Sequence, residues 1–156
     1  MPRRYPLALL ARLRREQVLS SAAMRKEQEA QTARARGDAA RAEQTTQAHV
    51  EAITRTDAEQ TERLEQGALR AADLLQHGAW THVAARTTEA LKSAEAIRRR
   101  EQVSSEEALH AATEQLAASA SAAQVVTKHQ ERWAQAEHTR VEEAQAEEAE
   151  DRWRPR

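Results

Sequence analysis

Residues 109–133 read LHAATEQLAASASAAQVVTKHQERW. Leu109, Ala112, Leu116, Ser119, Ala123, Val126, Gln130 and Trp133 follow one another at alternating steps of three and four residues. That cadence returns side chains to one face of an α-helix every three and a half residues, the spacing of a coiled-coil seam. Alanine and serine recur along it, so the seam is narrow and a second helix can approach closely. The stretch therefore predicts a long helix zipped along a line, rather than one packed into a globular core.

The remainder of the chain agrees. It has 156 residues, long enough for one ordinary domain, but its 40% apolar content is dominated by alanine and contains no Phe and one Tyr. Large aliphatic residues this scarce cannot fill a conventional core. Disorder is opposed by a net charge of only -1, by three Gly and three Pro in the whole chain, and by an abundance of Ala, Arg, Glu and Gln, which favour helix. The predicted fold is all-α and elongated: a long antiparallel two-helix coiled-coil hairpin with a short helix or turn near the middle.

The opening stretch, RYPLALLARLRREQ at residues 4–17, sets arginines around a short apolar run. A secretory signal needs about 7–15 uninterrupted apolar residues, and Arg12, Arg14 and Arg15 break the run at once. Pro6 suits the first turn of a helix, where its missing N–H is no loss. Leu7, Leu10, Leu13 or Arg14, and Val18 then follow at helical steps, so the stretch reads as the start of a seam. No run of about 18 apolar residues is present, and membrane insertion is not expected.

Arm 1 is placed at about 6–56, the turn region at about 57–79 and arm 2 at about 80–151. Gly37 weakens arm 1 without forcing a break. Between Arg25 and His49 the only apolar side chains are alanines, which predicts the softest part of the molecule. Residues 54–80, TRTDAEQTERLEQGALRAADLLQHGAW, hold Gly67 and Gly78, and a short helix between two long ones is the preferred reading. Thr56 with Glu59 and Asp57 with Gln60 have capping-box spacing. Ser104 with Glu107 has it too, but reads as two solvent-facing residues within a helix. The first forty residues are rich in Lys and Arg, whereas Glu142, Glu143, Glu147, Glu148, Glu150 and Asp151 lie near the other end. Folding back antiparallel is expected to set the basic end beside the acidic one.

Catalytic chemistry is not indicated. There is no glycine-rich phosphate loop and no strand-to-helix turn that could hold a nucleophile. Cysteine is absent, and the six histidines never form an i, i+4 pair, so neither a metal nor another cofactor is expected. Arginines at the start could meet nucleic acid, but the balanced charge and acidic end argue against it. Leu74, Leu75, Trp80 and Val83 form an apolar group that either plugs the turn or, if exposed, is a docking patch.

Tyr5-Pro6-Leu7, followed by Leu10, Arg14, Val18 and Ala22, resembles the start of the FliJ/YscO family, the central stalk proteins of type III secretion systems. The alanine- and arginine-rich character is similar to the Hrp-type versions from plant-associated bacteria. The resemblance implies a non-enzymatic stalk in the bacterial cytoplasm, peripheral to the inner-membrane secretion apparatus. Its paired helix ends would enter the secretion ATPase hexamer, and its other end would approach the export gate protein. Some members also handle export chaperones. Carried onto this chain, Leu7, Leu10, Arg14 and Val18 would face the ATPase. Trp80, Ala84 and Leu91 would face the gate, with polar Thr87 standing where an apolar residue is wanted. The alternatives are a coiled-coil scaffold or tether acting as a homo-oligomer, and a secretion chaperone; weak seams of this kind are also prone to self-association.

Overall fold

The computed structural model describes residues 4–153, with side chains through residue 150. It is an all-α hairpin of two long helices packed against each other, with no strand among the described residues. Helix α1 spans Ala8–Glu65 and helix α2 spans Ala71–Trp153. Such lengths suit a chain in which strong helix formers leave little else to interrupt the backbone. The many threonines are accommodated by bonding their hydroxyls back to the carbonyl four residues earlier, as Thr46 does to Ala42 at 3.0 Å and Thr88 to Ala84 at 2.8 Å.

Helix α1 starts two residues later than Pro6. Pro6 and Leu7 form a turn, and the Ala11 N–H donates the first helical bond to the Leu7 carbonyl at 2.9 Å. The reversal lies inside the expected turn region but is much shorter than that region, and no third helix intervenes among the described residues. The residues assigned to a short helix are the last turns of α1 and the first of α2. Thr56 and Asp57, read from spacing as cap residues, lie within α1, where the Thr56 hydroxyl bonds back to Ala52 at 3.0 Å.

The turn has a specific chemistry. Gly67 adopts φ 65°, the left-handed region that glycine enters without steric cost. The Gly67 N–H donates to the Leu64 carbonyl and the Ala68 N–H to the Arg63 carbonyl, both at 3.0 Å. This pair of bonds is the Schellman motif, which satisfies carbonyls at a helix C-terminus. Three residues on, α2 is capped by Asp73, whose carboxylate accepts from the Arg70 N–H at 2.9 Å.

The chain divides into two compact units. One combines, among the described residues, 4–27 with 110–153. Its seam contains Ala11, Arg14, Val18 and Ser21 of α1, with Ala112, Leu116, Ser119, Ala123, Val126, Gln130 and Trp133 of α2, all buried or half-buried. The Ser21 and Ser119 hydroxyls share a hydrogen bond of 3.1 Å across it.

The other unit comprises residues 28–109. In its α1 half, Gln28, Thr32, Ala35, Ala39, Ala42, Thr46, His49, Ile53, Thr56 and Gln60 keep the three-four cadence and are buried or half-buried. The section expected to be softest contains the most enclosed side chain among the described residues: Thr32, only 1% exposed. Its hydroxyl lies 2.8 Å from the Gln28 carbonyl, 3.0 Å from the Ser105 carbonyl and 3.0 Å from the Ser105 hydroxyl. Small side chains bring the backbones close enough for a hydroxyl on one helix to reach a carbonyl on the other. Close approach thus replaces the bulk that the composition lacks. Gly37 lies within α1 and Ser104 within α2; neither breaks its helix.

Candidate functional site

At the chain-terminal unit, α1 is held to α2 by an aromatic contact. The Tyr5 hydroxyl shares a 2.9 Å hydrogen bond with His129 Nδ1, and its ring meets Trp133 edge-on at a centroid distance of 5.5 Å. The tilted His129 ring stands 5.8 Å from that of Tyr5. Trp133 takes the seam position that its spacing predicts.

Just beyond this anchor, α1 turns most of its leucines to solvent. Leu7 and Leu10 are 38% and 37% exposed, Leu13 is half-exposed, and Leu9 is 71% exposed. Arg14 and Val18 are half-buried, and Arg14 Nη1 donates to Gln17 Oε1 at 2.9 Å. The four residues expected to face an ATPase therefore divide in two: Leu7 and Leu10 on the surface, Arg14 and Val18 partly in the seam. For Leu10 the reason is a one-residue offset. Counting back from Val18 at seam spacing gives Arg14, Ala11 and Leu7, so Ala11 is the buried residue and Leu10 stands beside it. Reading the cadence backwards from Val18 would have located this.

Among the described residues, Arg12–Arg15 are not set beside the acidic end as expected. The Tyr5 contact sets the start of α1 against residues 129–133, and the Ser21 contact sets its fourth turn against Ser119. The segment facing Arg12–Arg15 thus belongs to the uncharged run of Ala122, Ala123, Val125 and Val126. Glu142, Glu143, Glu147, Glu148 and Glu150 lie on the part of α2 that continues past Trp133. Packing of the seam fixed the register, and the charges followed it. In this continuation Arg140 is clamped by Glu137 through bonds of 3.0 and 2.7 Å, which raise its pKa further, and His138 Nδ1 lies 3.2 Å from Glu142. Asp151 and Trp153 fall outside the residues whose side chains are described.

Near the turn, Trp80 and Leu91 are half-buried and Ala84 is buried. All three occupy the seam toward α1, where His49 Nε2 donates to the Ala84 carbonyl at 3.4 Å. Thr87 faces solvent and bonds back to Val83 at 2.9 Å. Trp80 stacks on His77 with the rings 5.5 Å apart and 22° from parallel. His77 Nε2 stands 3.4 Å from Asp57 Oδ1, an enclosed oxygen without a hydrogen-bond partner. The exposed apolar side chains here are instead Leu64, Leu74, Val83 and Leu75, the last 78% exposed. They do not plug the turn.

Further along the same unit, two ion pairs bridge the helices: Arg36 to Glu106 at 2.8 Å and Arg99 to Glu43 at 3.2 Å. The bond from Arg36, with a second from Gln102, holds the Glu106 carboxyl below the ordinary glutamate range. No group of His, Cys, Asp and Glu that could hold a metal ion occurs among the described residues. No described helix is long and apolar enough to cross a membrane. No protein-family model, curated protein or solved structure matches the chain.

Proposed function

We propose that the chain is a stalk component of a bacterial type III protein secretion apparatus, working in the cytoplasm without catalytic activity of its own. One observation carries the reading: the start of α1 is fixed by Tyr5 to α2 and yet turns Leu7, Leu9, Leu10 and Leu13 to solvent. An anchored helix pair with an apolar collar is suited to insertion into a ring, where the leucines lose their water against its inner wall. The FliJ/YscO-like opening supports the same assignment. The turn end, with Leu74, Leu75 and Val83 exposed, is the side we assign to the export gate.

The mechanism is allosteric. A stalk without the symmetry of its ring contacts some subunit interfaces better than others. Only that difference in affinity can bias the ATPase through its cycle. The test is binding to, and stimulation of, a type III export ATPase by the intact chain and by two variants. Removing residues 1–18 and replacing Leu7→Asp with Leu10→Asp should each abolish both effects. Ring binding and hydrolysis unchanged by either variant would refute the stalk assignment.

A further inference from the structure

One side of the chain-terminal unit carries exposed apolar residues on both helices. There, Arg14, Gln17 and Ser20 of α1 face Gln115, Ala118 and Ser119 of α2 across an open depression of about 280 Å³. Helical spacing puts Leu10, Leu13 and Met24 on the same side of α1 as Gln17 and Ser20, and Val125 on the same side of α2 as Ala118. Leu13, Met24 and Val125 are 49%, 47% and 68% exposed. Leu10, Leu13 and Val125 lie toward the Tyr5–His129 contact, whereas the depression lies at the level of the Ser21–Ser119 contact. Bulk therefore stands at one end of this side and a hollow at the other, about 10 Å apart at the helical rise between Leu13 and Ser20. Residues 115–127 hold no Asp, Glu, Lys or Arg in a chain that is 31% charged, so covering this stretch of α2 strands no charge. Opposite charges stand just beyond it on the same side: Glu114, four residues before Ala118, and Arg132, seven after Val125. Arg132 has no ion-pair partner among the described residues. Glu114 meets His110 Nε2 at 3.3 Å on the open surface, and its carboxylate has a second oxygen to offer.

We propose that this side is a self-pairing surface, on which a second copy lies antiparallel, α1 against α1 and α2 against α2. The two-fold axis passes level with Gln17 and Ala123, residues four before Ser21 and four after Ser119. Leu13 of each copy then enters the hollow beside Ser20 and Ala118 of the other, and Leu10 meets Met24. Glu114 and Arg132 stand nine residues either side of Ala123, so each comes level with its opposite on the other copy. Four helices thus enclose leucines that two helices leave to water. The occupant is a second copy because bulk and hollow, and acid and base, are disposed about one point, which makes the surface its own complement, as a two-fold interface requires. A lipid surface of one charge sign fills no hollow and cannot pair with both Glu114 and Arg132. The pairing is independent of the secretion reading and is measured on the isolated chain. While it lasts it covers Leu10 and Leu13, so the paired form is closed to any ring.

Sedimentation equilibrium on the full chain should show monomer and dimer in concentration-dependent exchange. Leu13→Glu with Ala118→Glu sets carboxylates into the contact and should weaken pairing by about tenfold or more. Both residues are exposed in the hairpin, so circular dichroism of this variant should match the parent. Arg132→Glu should weaken pairing about tenfold, the order expected for reversing one exposed ion pair made twice. Adding Glu114→Arg to it should restore the parent affinity. The chain lacks cysteine, so Gln17→Cys, beside the axis, should form a disulfide between copies under mild oxidation. Leu19→Cys should not, because a residue 70% exposed and two positions on lies on the opposite side of α1. The proposal is overturned by a monomer at every concentration, or by a dimer indifferent to Leu13→Glu with Ala118→Glu and to the charge exchange. It is equally overturned by residue 19 cross-linking as readily as residue 17, or by binding to anionic lipid vesicles while the chain stays monomeric.

Discussion

Replacing Thr32 by valine tests how a seam without bulky residues holds together. Valine has the shape of threonine and a similar helix propensity, so Thr32→Val changes neither the packing volume nor the intrinsic cost of α1. It removes the hydroxyl that bridges Gln28 and Ser105 at 2.8–3.0 Å in a side chain 1% exposed. One lost hydrogen bond is worth about 1 kcal/mol net, and stranding the half-buried Ser105 hydroxyl adds to that, for a total of about 1–2 kcal/mol. Ser105→Ala alone should cost less, about 0.5–1 kcal/mol, because Thr32 keeps the Gln28 carbonyl as acceptor. In the double variant neither hydroxyl is left stranded, so its cost should fall below the sum of the singles by about 0.5–1 kcal/mol. Urea denaturation followed by circular dichroism at 222 nm measures all three, and Thr32→Val should lower Tm by about 3–6 °C. A Thr32→Val protein as stable as the parent, or strictly additive costs, would refute the view that cross-helix hydroxyls replace side-chain bulk.

Two glycines should respond in opposite directions. Gly67→Ala places a side chain at φ 65° and should destabilise the turn by about 1 kcal/mol, whereas Gly37→Ala, whose new methyl would meet only Arg41 Nη1 at 3.7 Å, should stabilise α1 by about as much; thermal melts of the two proteins read the sign. Acidification should act through Glu106. Its carboxyl is held below the ordinary range by Arg36 and then Gln102, so its contribution is full above the ordinary glutamate pKa and is lost as pH falls through the lower folded-state value. Melting temperatures of the parent and Arg36→Gln proteins between pH 7 and pH 3 should show the variant losing less on acidification.

The sequence exposed the α2 seam because its leucines, Val126 and Trp133 mark the cadence plainly among small neighbours. In α1 the same cadence is written in Thr32, Ala35, Ala39, Ala42 and Thr46, residue types that are equally at home on a surface. Hydropathy carries no trace of it; spacing alone would have. The turn was blurred because capping-box spacings at Thr56 and Asp57 occur by chance in a chain so rich in Thr, Glu and Gln. The signals that counted were Gly67 and, six residues on, Asp73. Charge did not decide what Arg12–Arg15 face, because exposed ion pairs are weak compared with packing, and a register chosen by Tyr5, Trp133 and the serines overrides them. Of the candidate contact residues, Leu7 and Leu10 could be named from sequence, while Leu9, the most exposed of the group, could not.

The alanine, serine and threonine seam also shapes the response of the protein to temperature. Heat capacity rises on unfolding because apolar surface meets water, by about 12–15 cal/mol/K per residue in ordinary globular domains. A chain whose buried hydrophobic residues, among those described, are Ala11, Ala39, Ala84, Ala112 and Val126 should expose far less such surface per residue when it opens. Its stability curve should accordingly be shallow, with a heat-capacity increment on unfolding below that of an ordinary domain of this length, which scanning calorimetry would read.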